Sequence, residues 1–228
     1  MTRSAPVPRL VAVPGLGLTA AVPRHALALL PHPATVVELP AYGLPARRGT
    51  PLHPAHLAGV LLARLDALGI PRAVLMGHSA SCQAVTAAAV MAPDRVTGLV
   101  LVGPTTDPRA RGWPGLAARW LRTARHERPG QVPQLVHDYT RTGLGGMLRG
   151  MDAARGHRIE RVLAAVRCPV LVVRGRHDRI APRAWAAALA AAAPDGRALT
   201  LPAGGHMVPI THPAELAAAI GAFTVTGR

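Results

Sequence analysis

Six short apolar or β-branched runs, Arg9 to Val13, Thr35 to Leu39, Ala73 to Met76, Thr97 to Val102, Val170 to Arg174 and Ala198 to Leu201, are separated by segments with helical spacing. A chain that alternates in this way has few folds open to it. Helices that cross from one strand to the next make neighbouring strands parallel and cover both faces of the sheet, which lets the strands be apolar throughout. Helical patterns fill Ala20 to Leu30, His56 to Leu68, Ala80 to Met91, Arg158 to Val166, Arg183 to Ala193 and Pro213 to Phe223. In the second of these, Leu57, Val60, Leu61, Leu65 and Leu68 recur at three- and four-residue steps, the stripe of an amphipathic helix. The fold class is α/β, and 228 residues without a linker-like stretch predict a single domain over 1–228. From Pro104 to about Gly156 the alternation lapses. This stretch has no strand pattern, and it holds three of the six aromatic residues, Trp113, Trp120 and Tyr139, so it reads as a helical insertion.

The third run leads into a sharp turn. Ala73 to Gln83, AVLMGHSASCQ, is an apolar strand, a turn with Ser79 at its tip and the start of a helix. Gly77 supplies the flexible residue such a turn requires. The free N–H groups of the new helix lie behind the serine, where negative charge is favoured. A neutral hydroxyl is a poor nucleophile, so a catalytic role needs a base, a carboxylate to orient that base, and donors for an oxyanion.

Other chemistries fit the chain less well. A Gly-rich loop, Pro14-Gly15-Leu16-Gly17, follows the first strand, but neither Gly-x-Gly-x-x-Gly nor a Gly-Lys-Ser/Thr ending is present, which argues against dinucleotide and P-loop sites. The formal charge of +15 invites a nucleic-acid reading. All 26 basic residues are arginine, however, and they are scattered, with Arg47-Arg48 the longest run and no aromatic interleaving. Arginine without lysine, together with abundant Ala, Gly and Pro, reads as the codon bias of a GC-rich bacterial genome. Two cysteines, Cys82 and Cys168, make neither a disulfide framework nor metal spacing, and both read as buried thiols. The N-terminal stretch MTRSAPVPRLVAVPG lacks the apolar core of a leader, and no run of about twenty apolar residues could span a bilayer. The expectation is a cytoplasmic protein without membrane insertion.

The segment Gly77-His78-Ser79-Ala80-Ser81 resembles the Gly-x-Ser-x-Gly nucleophile elbow of the α/β-hydrolase family, departing from it only at Ser81. The chain order Ser79, Asp178, His206 is also that family's, and Asp178 and His206 each follow a predicted strand, on loops that open beside the elbow. The resemblance covers nearly the whole chain. It implies an α/β-hydrolase fold: a mostly parallel, six-stranded sheet flanked by helices. The insertion at about 104–156 would be a helical lid, with Trp113, Trp120 and Tyr139 shaping the substrate pocket. The first strand begins near residue 9, which leaves no room for the two strands that usually precede it and places that strand centrally in the sheet. Ser79 would be the nucleophile, His206 the base and Asp178 the acid, with Asp107 as the alternative acid. The N–H groups of Leu16 and Ala80 would form the oxyanion hole, with Pro14 standing in the family's histidine position. At Ser81 an extra hydroxymethyl where strand and helix pack closely is expected to cost a little stability. The reading implied is a serine hydrolase of the carboxylesterase type, acting on a small, mostly apolar acyl substrate through an acyl-enzyme intermediate, with no cofactor and no metal. Carbon-carbon bond hydrolases, thioesterases and cofactor-free haloperoxidases share these residues, and a non-catalytic small-molecule-binding protein on the same fold is the rival from outside catalysis.

Overall fold

The computed structural model describes residues 9–226. Residues 1–8, part of the stretch read for a leader, lie outside the described residues. Six parallel strands, β1 (Arg9–Val13), β2 (Ala34–Val36), β3 (Ala73–His78), β4 (Val96–Val102), β5 (Val170–Arg174) and β6 (Gly196–Thr200), form one sheet in the order β2-β1-β3-β4-β5-β6. The strand expected at the centre, β1, is interior but lies one strand from the edge. Only β2 is added on its outer side, so β3 and β4 take the middle.

Side chains alternate across the strands and feed two cores. Val11, Val13, Leu75, Leu99, Leu101, Val170 and Val172 join one face with α2 (Pro54–Ala67), α3 (Ser81–Met91) and α8 (Arg183–Ala192). Leu10, Ala12, Val74, Met76, Val100, Val102, Leu171 and Val173 join the other with α1 (Ala21–Leu27) and α9 (Pro213–Thr226). Each buried Val or Leu contributes about 1.5–3 kcal/mol. Burial on both faces is what an apolar run without alternation demands.

Some element boundaries differ from the sequence-based expectation, each for a local reason. The second strand stops at Val36: the Val37 N–H still donates to the Ala12 carbonyl at 2.9 Å, and beyond it the Glu38 carboxylate accepts the Ala20 N–H at 2.7 Å. Leu39–Pro40 then pairs with Gly43–Leu44 outside the main sheet, a place that tolerates a proline. The expected helix Arg158 to Val166 is a four-residue helix, α7 (Ile159–Val162), that tightens into a 3-10 turn at Leu163–Ala165. It seats Ile159 and Leu163, one turn apart and both fully buried.

Strand register sets the stage for the site. Val13 lies opposite Gly77, His78 opposite Val102, Val102 opposite Val173 and Arg174 opposite Thr200. The loops after β1, β3, β4, β5 and β6 therefore leave the sheet along one edge.

After β4 the chain departs into three helices, α4 (Trp113–Ala124), α5 (Val132–Thr142) and α6 (Leu144–Gly156). The attachment of α4 is polar. Thr123 is buried and the half-buried Arg119 pairs with Asp107 at 2.7 Å, while Trp120 and Leu121 on the adjoining face are 53% and 59% exposed. Small residues let α6 approach: Gly146, Gly150 and Ala154 are its buried positions.

At the elbow, the expected crowding at Ser81 is not found. The close approach falls on Gly77, where a Cβ would come within 2.7 Å of the Cys82 N and Cα atoms. Ser81 is fully buried and its hydroxyl is satisfied: it accepts the His78 N–H at 2.8 Å and offers its proton to the carbonyls of His78 (2.9 Å) and Val13 (3.0 Å). It thereby ties β3 to the end of β1. Replacing a buried hydroxyl leaves those groups unpaired, at about 1–3 kcal/mol. Ser81→Gly, which restores the usual elbow pattern, is accordingly expected to lower stability by about that amount, read as a lower urea midpoint at unchanged slope.

Candidate active site

Ser79 follows the last residue of β3 and holds φ at +58°, a left-handed conformation that costs a non-glycine residue about 1–2 kcal/mol. Besides the Cys82 N–H, which its carbonyl accepts at 3.3 Å, two backbone bonds to the β4 side fix it there. Its N–H donates to the Val102 carbonyl at 2.8 Å, and its carbonyl accepts from the Thr105 N–H at 3.4 Å. The strained residue is thus braced against the end of β4, on either side of Gly103.

The loops after β5 and β6 are laced together. The Leu201 N–H donates to the Arg174 carbonyl (2.8 Å), and the N–H groups of Arg176 and His177 donate to the carbonyls of Ala203 (3.3 Å) and Gly204 (2.9 Å). Asp178 and His206 meet across this seam. His206 Nδ1–H donates to Asp178 Oδ2 at 2.8 Å, and Asp178 Oδ1 accepts the N–H groups of Ile180 (2.8 Å) and Ala181 (2.9 Å). Asp178 is fully buried and His206 is 9% exposed. Both lie against Gly103, whose φ is +54°, and a Cβ there would stand 3.0 Å from His206 Nδ1 and 3.1 Å from Asp178 Oδ2. A side chain there would crowd the pair, and the positive φ itself favours glycine.

Charge stabilises the pair in its ionised form. Burial alone would push His206 down, but the Asp178 carboxylate and its hydrogen bond, with the charge of Glu127, hold the imidazole above its ordinary value. For Asp178 burial acts upward, and the His206 charge and hydrogen bond, the Ala181 N–H and Arg174 outweigh it. The neighbouring histidine behaves in the opposite way. Burial and then His206 push His78 down to about 3, so it stays neutral. Its Nε2–H donates to the His206 carbonyl at 3.1 Å.

The structure brings together Ser79, Asp178, His206 and the loop of Leu16. The Ser81 bond to the Val13 carbonyl holds that loop beside the elbow, and a Cβ at Gly15 would stand 2.9 Å from His78 Nδ1. Among the described residues, the N–H groups of Leu16 and Ala80 donate to no protein acceptor, and no hydrogen bond joins the Ser79 hydroxyl to His206. Asp107, the alternative acid, is turned elsewhere. It is buried against Arg109 and Arg119, at 2.9 and 2.7 Å, and although burial raises its carboxyl, their hydrogen bonds hold it below the usual range. Of the three aromatic residues, Tyr139 reaches the loop: a Cβ at Gly17 would lie 2.9 Å from Tyr139 Cδ1 and equally close to Met147 Sδ. Tyr139 also packs on the small apolar cluster that includes Met207. Trp113 lies under the Arg155 guanidinium at 5.4 Å and is 42% exposed, and Trp120 is more exposed still. Cys82 and Cys168 are buried, and burial pushes the Cys168 thiol up to about 11. Among the described residues no three His, Cys, Asp or Glu side chains are grouped to hold a metal ion, and no helix is long and apolar enough to cross a membrane.

Arg174 was not singled out by the sequence pattern. Its buried guanidinium donates to the carbonyls of Ala181 (2.7 Å), Asp178 (2.8 Å) and Arg176 (3.0 Å), wrapping the acid loop around itself. The available signal was an arginine closing the otherwise apolar strand VLVVR.

A model of the alpha/beta hydrolase family matches residues 10–219, and the chain belongs to that family. It is 27% identical over 241 residues to a pimeloyl-[acyl-carrier protein] methyl ester esterase of Serratia marcescens, covering 94% of this chain and 92% of that protein. It is also 27% identical over 187 residues to a provisionally assigned carbamate hydrolase, RutD, of Pseudomonas savastanoi pv. phaseolicola, covering 69% of this chain and 70% of that protein. The enol-lactonase of Burkholderia xenovorans LB400 superposes with a TM-score of 0.75 at 20% identity, over 97% of this chain and 92% of that one, a likeness of fold.

The shifts carry a testable pH dependence. A raised His206 contributes stability that is full below about pH 6.5 and is lost as pH rises through its folded value. A depressed Asp178 contributes stability that is full above about pH 3.9 and is lost as pH falls through its folded value. The pair therefore stabilises most between these limits. In ring nitrogen NMR, His206 is expected to titrate above about 6.5 in the wild type and lower in Asp178→Asn, while His78 stays neutral down to about pH 4.

Proposed function

We propose that this chain is a serine hydrolase that opens an ester or related acyl bond of a small, mostly apolar molecule through an acyl-enzyme intermediate. The observation that carries this reading is the buried His206–Asp178 pair standing over Gly103, beside a serine held in left-handed backbone.

Ser79 Oγ attacks the substrate carbonyl carbon while His206 Nε2 takes its proton, and Asp178 stabilises the imidazolium so formed. The carbonyl oxygen becomes an oxyanion and is received by the free N–H groups of Leu16 and Ala80, each worth about 3 kcal/mol in the transition state. Collapse of the tetrahedral species expels the alcohol, which takes the proton from His206, and leaves an acyl-Ser79 ester. Water, deprotonated by His206, then attacks that ester and releases the acid. In this reading 104–156 is the lid, and Tyr139 with Met147 forms the wall of the acyl site next to the oxyanion loop. The names of the esterase and the enol-lactonase both describe acyl–oxygen cleavage, which favours an ester or lactone over a thioester or a carbon-carbon bond.

A fluorophosphonate probe is expected to label Ser79 in the wild type and to fail with Ser79→Ala, with the adduct located by mass spectrometry. His206→Ala and Asp178→Asn are expected to slow p-nitrophenyl butyrate hydrolysis by roughly 10⁴-fold or more. A folded wild type that takes no label would overturn the proposal in favour of a binding protein.

A further inference from the structure

His206 is held from three sides, and one of them comes from outside the loops that carry the triad. Asp178 holds the ring, and His78 holds the carbonyl. The main-chain N–H is held by Glu127, which lies just beyond α4 in the inserted segment. Glu127 Oε1 accepts the N–H of His206 at 2.5 Å and that of Met207 at 3.0 Å, two successive donors closing on one carboxylate oxygen. The other oxygen accepts from Gln131 Nε2 at 3.2 Å. Gly205 is shaped to this contact, because any Cβ there would collide with the Glu127 carboxylate.

The same short stretch grips the acid loop. Thr123 Oγ1 accepts the Arg179 N–H at 3.0 Å, and the His126 ring stacks on His177 with centroids 4.4 Å apart. Every one of these contacts is polar or ring-to-ring, and together they dock the end of α4 on both loops.

We infer that Glu127 is a positioning residue for His206: its carboxylate seats the main chain of the base and adds a negative charge beside the imidazole, so the base is complete only when the inserted segment is docked. This rests on the serine-hydrolase reading. The ionisable groups facing His206 are Asp178 from the loop after β5, His78 from the elbow and Glu127 from the insertion, with Arg174 behind Asp178. His78 is neutral at working pH, so the removable charges are the two carboxylates. Asp178 acts through the ring and Glu127 through the backbone and its field.

The test compares the full-length wild type with Glu127→Gln and Glu127→Ala. Fluorophosphonate titration counts active sites, and p-nitrophenyl butyrate kinetics over pH are expressed per active site. Glu127→Ala is expected to lose about 10- to 100-fold in kcat with KM changed little, the signature of a misplaced base. Glu127→Gln keeps an acceptor oxygen for both N–H groups and is expected to recover most of kcat, with the acidic limb of kcat/KM moved to lower pH. In a Ser79→Ala background, ring NMR is expected to show the His206 pKa lowered by Glu127→Gln, a readout independent of turnover and of how well Glu127→Ala folds. A merely structural role would lower the melting temperature or the active fraction and leave the per-site kcat and pH midpoint unchanged, and that result would overturn the inference. Failure of the wild type itself to label at Ser79 would instead count against the hydrolase reading.

Discussion

Where the inner strands β1, β3, β4 and β5 are buried on both faces, main-chain polarity can meet water only at their ends. The register of this sheet brings the ends of β1, β3, β4, β5 and β6 to one edge within a residue or two of each other, and the candidate site is assembled from the loops that leave those ends. No long-range reach is needed. Ser79 is braced on β4, Gly103 clears space at the tip of β4, and the loops after β5 and β6 are bonded to one another before their side chains meet. A shift of one residue in any of these pairings would turn the wrong side chain to the edge.

Stability and chemistry are arranged differently around that edge. The cores below it are apolar and nearly free of polar obligations. At the edge the buried polar groups are held to definite partners. Ser81 joins two strands, Arg174 gathers three carbonyls, and Asp178 divides its oxygens between His206 and the backbone. His78 differs from them. Its Nδ1 is buried without a partner, and burial with His206 beside it keeps that ring neutral.

The sequence was most legible where a residue type and a strand end coincide. Ser79, Asp178 and His206 each come after an apolar run and have a glycine nearby, so the parallel order already places their three loops along one edge of the sheet, and the family resemblance singles out these side chains on them. Where the determinant lies far away in the chain, nothing local marked it. Glu127 contacts His206 across 79 positions, and only the glycine at 205 bears its imprint. The crowding expected at Ser81 followed from the family's glycine there, and it failed because Gly77 absorbs the close approach and leaves the hydroxyl room to bond. Asp107 looked equivalent to Asp178 by position, lying past a strand end. Two arginines from its own neighbourhood capture it, a competition that spacing does not display. The central position expected for β1 depended on counting strands on either side, which connectivity does not supply.

The way α4 is attached has a thermal consequence. The helix is tied down by an ion pair, a buried threonine and the run into Glu127, while Trp120 and Leu121 already face solvent. Were such a helix to lift, its tryptophan and leucine would add little apolar surface of their own to solvent, so the heat-capacity change would be small and the temperature dependence would be governed by the enthalpy of a few polar contacts. A lifting of this kind would follow a nearly straight van't Hoff line, independently of the strongly curved stability of the sheet beneath.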